Sequence, residues 1–270
     1  MTIRVAPFVT ISSTMLAAKI CASELGAARM TTRTLAAIAI VLSAAWWARA
    51  QEPAGFTTYL IGFMTQAEGR LPDGSTQPQL QKAHVANLDA MWKEGLLVAS
   101  GPIGDTGDLR GVVIFRGDRR AAVEARVAED PMVKAGFLQV SMGPWLAPVG
   151  IGDEYKKWAA TNPSVLDRMR TYQLVLLKTI WGAARLTEDE QRTFVQQIDQ
   201  TVKAGKLAVA GPVSEGSDLA WVLVFTADAA EADALAASIS FVRAGKMVAE
   251  RHPWMVAEGV LPAGFKVPMP

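Results

Sequence analysis

The chain has 270 residues, of which 50% are hydrophobic and 20% charged, with a formal net charge of +1. That composition excludes a disordered or low-complexity chain and supplies apolar material for one or two sizeable cores. A single cysteine, Cys21, excludes a disulfide framework and a thiolate metal cluster.

The first fifty residues differ from the rest, with five basic residues and only one acidic residue, Glu24. From Met30 the text runs MTTRTLAAIAIVLSAAWWARAQEP. Arg33 gives a basic start, Leu35 to Trp47 an apolar run, and Ala48-Arg49-Ala50 a small-x-small step, the three parts of a secretory signal. The run is shorter than the roughly 20 apolar residues of a membrane-spanning helix. Residues 1–50 are therefore expected to be a leader, with the signal proper at 30–50 and cleavage after Ala50. Residues 1–29 read as an extension upstream of the true start. The protein is expected to be exported, periplasmic or secreted, with no membrane partner after cleavage. Removing those five basic and one acidic residues leaves 22 basic against 25 acidic, a charge of −3, which speaks against a nucleic-acid partner.

Beyond the leader the chain is written twice. KEGLLVASGP (Lys93 to Pro102) recurs as KAGKLAVAGP (Lys203 to Pro212), and DLRGVVIF (Asp108 to Phe115) as DLAWVLVF (Asp218 to Phe225), both at an offset of 110. VKAG at Val133 matches VRAG at Val242, and GPW at Gly143 matches HPW at His252, at an offset of 109. A period of this length marks a repeated structural unit. In the first copy the pattern predicts strands near 59–65, 96–100, 111–116 and 137–142, with helices near 79–94 and 118–129. In the second it predicts strands near 172–178, 207–210, 220–226 and 247–250, with helices near 188–204 and 229–244. The order strand, helix, strand, strand, helix, strand is the ferredoxin-like pattern. YLIGFM, GVVIF, LVLL and WVLVF are near-continuous apolar runs, so both sheet faces should be covered, one by helices and one by the sheet of the other copy. The fold class expected is α+β: two βαββαβ units, 51–146 and 171–260, closed as one barrel within the chain. The polar, glycine- and proline-bearing tract 147–170 reads as a linker, and 261–270 as an extended tail.

The chain has two histidines. His84 lies on the apolar stripe Leu80, His84, Leu88 and Met91 or Trp92 of the first helix. Asp130 precedes Pro131 in the block EDPMVKAG, where a helix arriving from Asp118 should stop. In the second copy His84 falls opposite Phe194 and Asp130 opposite Ile239, so both polar groups are absent there together. A carboxylate that accepts an imidazole N–H fixes its tautomer and leaves the other nitrogen to move a proton near neutral pH. The alternative is a core histidine satisfied by a backbone carbonyl, with Asp130 only capping the next turn. Arg110, in the loop PIGDTGDLR, is a candidate for an anionic ligand group, although glycine and aspartate there are also what a turn requires. His252, before Pro253, reads as a surface residue. Phosphate loops, zinc spacings and a GxSxG elbow are absent from the sequence, and no metal or cofactor is expected.

QKAHVANLDAMWKEGLLVASGPIG, GVVIFRG and EDPMVKAGFLQV together resemble the YCII-related family of the dimeric α+β barrel class. The resemblance is close over Thr58 to Leu146 and weak over Thr171 to Val260. It implies the barrel, with the internal repeat supplying both halves that single-domain relatives supply as dimers, and it leaves room for further homo-oligomers. It also implies an active-site pair, which carries over to His84 and Asp130 as catalytic residues, with at most one such site per chain. Met132 stands where the family commonly has an aromatic residue. Some relatives are lyases that remove chloride from chlorinated aromatic compounds. The reading is an exported small-molecule lyase, isomerase or hydrolase; the alternative is a ligand-binding or scaffold module of the same fold. A third reading, haem held through His84 as in distant relatives of the barrel superfamily, is not adopted.

Overall fold

The computed structural model describes residues 52–67, 77–162, 168–214 and 218–262. The expected leader lies outside the described residues. From residue 52 onward the chain forms one compact unit.

The first half runs β1 (Phe56–Gln66), α1 (Gln77–Lys93), β2 (Leu97–Pro102), β3 (Leu109–Arg116), α2 (Arg120–Ala128), α3 (Pro131–Lys134) and β4 (Leu138–Pro148). A connecting helix, α4 (Asp153–Thr161), follows. The second half repeats the order as β5 (Met169–Thr179), α5 (Glu188–Lys203), β6 (Leu207–Pro212), β7 (Leu219–Phe225), α6 (Ala229–Ser238), α7 (Ser240–Arg243) and β8 (Met247–Ala257). The two sheets are antiparallel with matching orders, β2-β3-β1-β4 and β6-β7-β5-β8.

Strand alternation divides the core into three layers. Tyr59, Ile61, Val112 and Ile114 of the first sheet meet Leu174, Leu176, Val222 and Val224 of the second in a shared inter-sheet core. Leu60, Met64, Val113 and Phe115 point the other way, under the first pair of helices, and Val175, Leu177, Leu223 and Phe225 do the same under the second. Hence the strands are apolar on both faces, and the intrachain α+β barrel expected from the sequence is the observed fold.

The seams between the sheets are reciprocal. Trp145 Nε1 donates to the Gly211 carbonyl (3.1 Å), and Trp254 Nε1 donates to the Gly101 carbonyl (3.2 Å). Both indoles are fully buried. Backbone bonds Gly104 N–H to Pro253 O (2.8 Å) and Ser214 N–H to Pro144 O (3.0 Å) extend each seam.

Several boundaries differ from expectation. The strands β4 and β8 run to Pro148 and Ala257, through Pro144 and Pro253 and past the expected ends at 142 and 250. Both are edge strands, where a proline leaves no ladder bond unmade. The single helix expected over 229–244 is broken at Ile239, whose extended conformation separates α6 from α7. The tract 147–170 is not irregular throughout, since DEYKKWAAT carries two acids in its first turn and forms α4. Gly152 N–H bonds to Val260 O (2.7 Å) and Tyr155 N–H to Gly259 O (3.2 Å), tying that helix to the chain beyond β8. Leu261, at the start of the expected extended tail, is buried in the inter-sheet core beside Val260. Residues 263–270 lie outside the described residues.

Candidate functional site

The Asp130-Pro131 step stops α2 and starts α3. Pro131 disfavours the helical conformation at the residue before it, and Asp130 is extended at φ −60° and ψ 130°. From that position the carboxylate caps α3: Oδ1 accepts the backbone N–H of Met132 (2.9 Å) and of Val133 (3.4 Å). Its other oxygen, Oδ2, turns to α1 and accepts from His84 Nδ1 (2.9 Å) and Asn87 Nδ2 (2.9 Å). His84 and Asn87 are three residues apart and so share one helix face.

Both members of the pair are buried, His84 at 7% exposure and Asp130 at 4%. Burial alone would push the Asp130 carboxyl up. The hydrogen bonds from His84, Asn87 and the Met132 N–H overcome it and hold the group below the ordinary carboxylate value. An ionised carboxylate only accepts, so the proton between the two groups sits on Nδ1. Among the described residues Nε2 has no hydrogen-bond partner, and it is the nitrogen left for chemistry.

Beside His84 opens a cleft of about 1010 Å³ between α1 and the edge strand β2. Its walls include Leu88, Trp92, Val98 and Met132 from the first half, with Tyr155 of α4 and Val260 beyond β8 from the remainder of the chain. Asp130 and Asn87 do not line it. They border a small inner void of about 20 Å³ that His84 also touches, so the imidazole stands between the cleft and its carboxylate.

The second half shows what the fold requires when these groups are missing. Ile239 has nearly the Asp130 backbone conformation, φ −58° and ψ 131°, but offers no cap to α7. Gln197, at the position equivalent to Asn87, does so instead: its Oε1 accepts the Ser240 N–H (3.0 Å) and its Nε2 donates to the Ser238 carbonyl (3.1 Å). Phe194 stands where His84 does and stacks on Phe241 at 4.6 Å, with Trp221 edge-on at 4.8 Å. Aromatic rings occupy this space in the second half.

Arg110 reaches the cleft, where its guanidinium donates to Gln66 Oε1. His252 is not a simple surface residue. It is part-buried, and Nδ1 lies 2.7 Å from Asp105 Oδ2, joining β8 to the β2–β3 loop of the other half. Burial pushes the Asp105 carboxyl up, while the bonds from His252 and the Gly107 N–H draw it further down, below the ordinary range. The sequence reading missed Asn87; its place one helical turn after His84, opposite Gln197, was the available signal. Among the described residues no group of three or more His, Cys, Asp or Glu side chains is placed to hold a metal ion.

Residues 59–145, the stretch that carries His84 and Asp130, match the YCII-related domain. No curated protein matches the chain. Among solved structures it is similar to a protein provisionally described as a chlorite dismutase (13% identity, TM-score 0.46, covering 75% of this chain and 96% of that one). It is also similar to a heme-binding protein from Thermus thermophilus (15%, TM-score 0.43, covering 76% and 92%). An anthrone oxidase-like protein is a further match (13%, TM-score 0.42, covering 77% and 97%).

Proposed function

We propose that the YCII-related half is the working half of a small-molecule enzyme, in which His84 moves a proton through Nε2 and Asp130 and Asn87 position it. The carrying observation is the comparison between halves: α7 is capped by Gln197 without a carboxylate, so the fold does not need Asp130 or His84. Retaining both, hydrogen-bonded and buried beside a cleft, fits acid-base chemistry.

The reaction class that suits the pair is proton transfer next to a carbonyl. The Nε2 lone pair takes the proton, the C–H electrons enter the enolate, and the imidazolium is stabilised by the Asp130 carboxylate. Returning that proton to another atom completes an isomerisation, and loss of a leaving group from the enolate completes an elimination.

The test is deuterium wash-in from D2O at the carbon adjacent to the carbonyl across a panel of carbonyl and carboxylate compounds. His84→Phe installs the residue of the other half. It should fold and lose exchange by about 10²–10⁴-fold; unchanged exchange would sink the reading and favour a binding module.

The leader pattern of residues 30–50 supports export, and the mature charge of −3 supports a small-molecule partner over nucleic acid. N-terminal sequencing of the protein recovered outside the cytoplasm should begin at Gln51; an intact leader would reject export by this signal.

A further inference from the structure

We infer that the cleft takes an anionic amphiphile, with a carboxylate at Arg110 and an apolar body running toward Trp92 and Tyr155. This rests on the proposed function only in using the same cleft.

The direction follows from the strand register. Pro102 of β2 lies opposite Gly111, next to Arg110, and Leu97 lies opposite Phe115. The helix α1 returns to β2 through a tight turn in which Leu96 N–H bonds to Met91 O (2.9 Å). Trp92 therefore stands at the Leu97 end, and earlier residues of α1 climb back toward Pro102 and Arg110, passing His84 on the way. From His84 to Trp92 the helix advances ~12 Å.

The two ends differ in chemistry. At the first, Arg110 donates to Gln66 and among the described residues has no carboxylate within ion-pair distance. A guanidinium with only a neutral partner matches a carboxylate ligand. The carboxylate among the described lining residues, Asp89, is held by Lys93 at 2.6 Å. Toward the second end the lining is apolar, and Trp92 meets Tyr155 edge-on at 6.1 Å. Tyr155 belongs to α4 and Val260 to the chain beyond β8, so the part of the chain that lacks the polar pair supplies a wall of the site.

Calorimetric titration of the full chain with octanoate, butyrate and 1-octanol tests this. Each buried methylene should tighten binding about fourfold, so octanoate should bind about two orders of magnitude more tightly than butyrate. Arg110→Gln should weaken octanoate at least tenfold and leave 1-octanol unchanged, while Trp92→Ala should weaken octanoate and spare butyrate. Octanoate no tighter than butyrate, or insensitive to Arg110→Gln, overturns the inference. Absence of octanoate binding in the wild type overturns the ligand class whatever the exchange assay gives, and loss of exchange in His84→Phe while the wild type binds octanoate bears on the proposed chemistry alone.

Discussion

Gly111 and Trp221 hold the same register position in the two sheets, Gly111 opposite Met64 and Trp221 opposite Leu177. In the second half the indole packs against Phe194 and fills the space between sheet and helix. In the first, the Met64 methyl lies over the glycine, 2.4 Å from where a Cβ would stand, and Met64 borders the cleft. An aromatic core and a cleft with a histidine are thus alternative fillings of one scaffold.

Gly111→Trp should accordingly remove ligand binding and cost about 1–3 kcal/mol through overpacking. Adding Met64→Leu restores the pairing of the second half, and the double variant should regain much of that stability while still failing to bind. Urea denaturation midpoints separate the cases; a double variant no more stable than the single would show that the two positions are not exchangeable.

Asp130 accepts hydrogen bonds on both oxygens, which asparagine cannot reproduce. In Asp130→Asn an NH2 group must face either the α3 backbone donors or the donors of His84 and Asn87, at a cost of about 1–3 kcal/mol. The folded carboxyl is held below its unfolded value of 3.8. Its stabilisation is therefore present above that value and lost as pH falls through the lower folded one. Wild type should show this acid-side loss of stability and Asp130→Asn should lack it. Equal slopes in denaturation series between pH 6 and 2 would contradict the assignment.

Asn87 and Gln197 hold equivalent places but have different duties. Asn87→Ala removes one donor to the Asp130 carboxylate, and Gln197→Ala removes a cap and a bond to the Ser238 carbonyl. Each should cost about 1–2 kcal/mol. Only Asn87→Ala should alter the His84 imidazole nitrogen resonances and the pH profile of proton exchange; a matching effect from Gln197→Ala would reduce Asn87 to a structural role.

The internal sequence similarity made the topology legible, because near-constant offsets of 110 and 109 carry the later strands of one half onto those of the other. His84 and Asp130 stood out because their counterparts, Phe194 and Ile239, differ in polarity. Asn87 did not, since its counterpart Gln197 is chemically similar; its distinct role depends on a three-dimensional swap of capping partners. The strands β4 and β8 extend past their expected ends through Pro144 and Pro253, whose missing N–H costs no bond within either sheet because each lies on its sheet's outer strand, facing the seam. The cleft itself was not legible, as its far wall comes from Tyr155 and Val260, remote in sequence from His84.

The reciprocal seams give the last prediction. A Cβ on Gly101 would lie 1.8 Å from the Met255 carbonyl oxygen, and one on Gly211 1.9 Å from that of Leu146. Neither glycine has a positive φ, so the requirement is close approach of backbone to backbone and not conformational freedom. The indole of Trp254 sits beside the first glycine and that of Trp145 beside the second, so any shift also strains a buried hydrogen bond. Gly101→Ala and Gly211→Ala should therefore destabilise by similar amounts, at least the ~1–3 kcal/mol of an overpacked core. Gly95→Ala meets nothing within 4 Å but has φ +72°, so its cost should be the smaller one of backbone strain, about 1 kcal/mol. Thermal denaturation of the three variants should rank both seam glycines well below Gly95→Ala. A seam variant as stable as Gly95→Ala would mean that the two sheets can separate without loss.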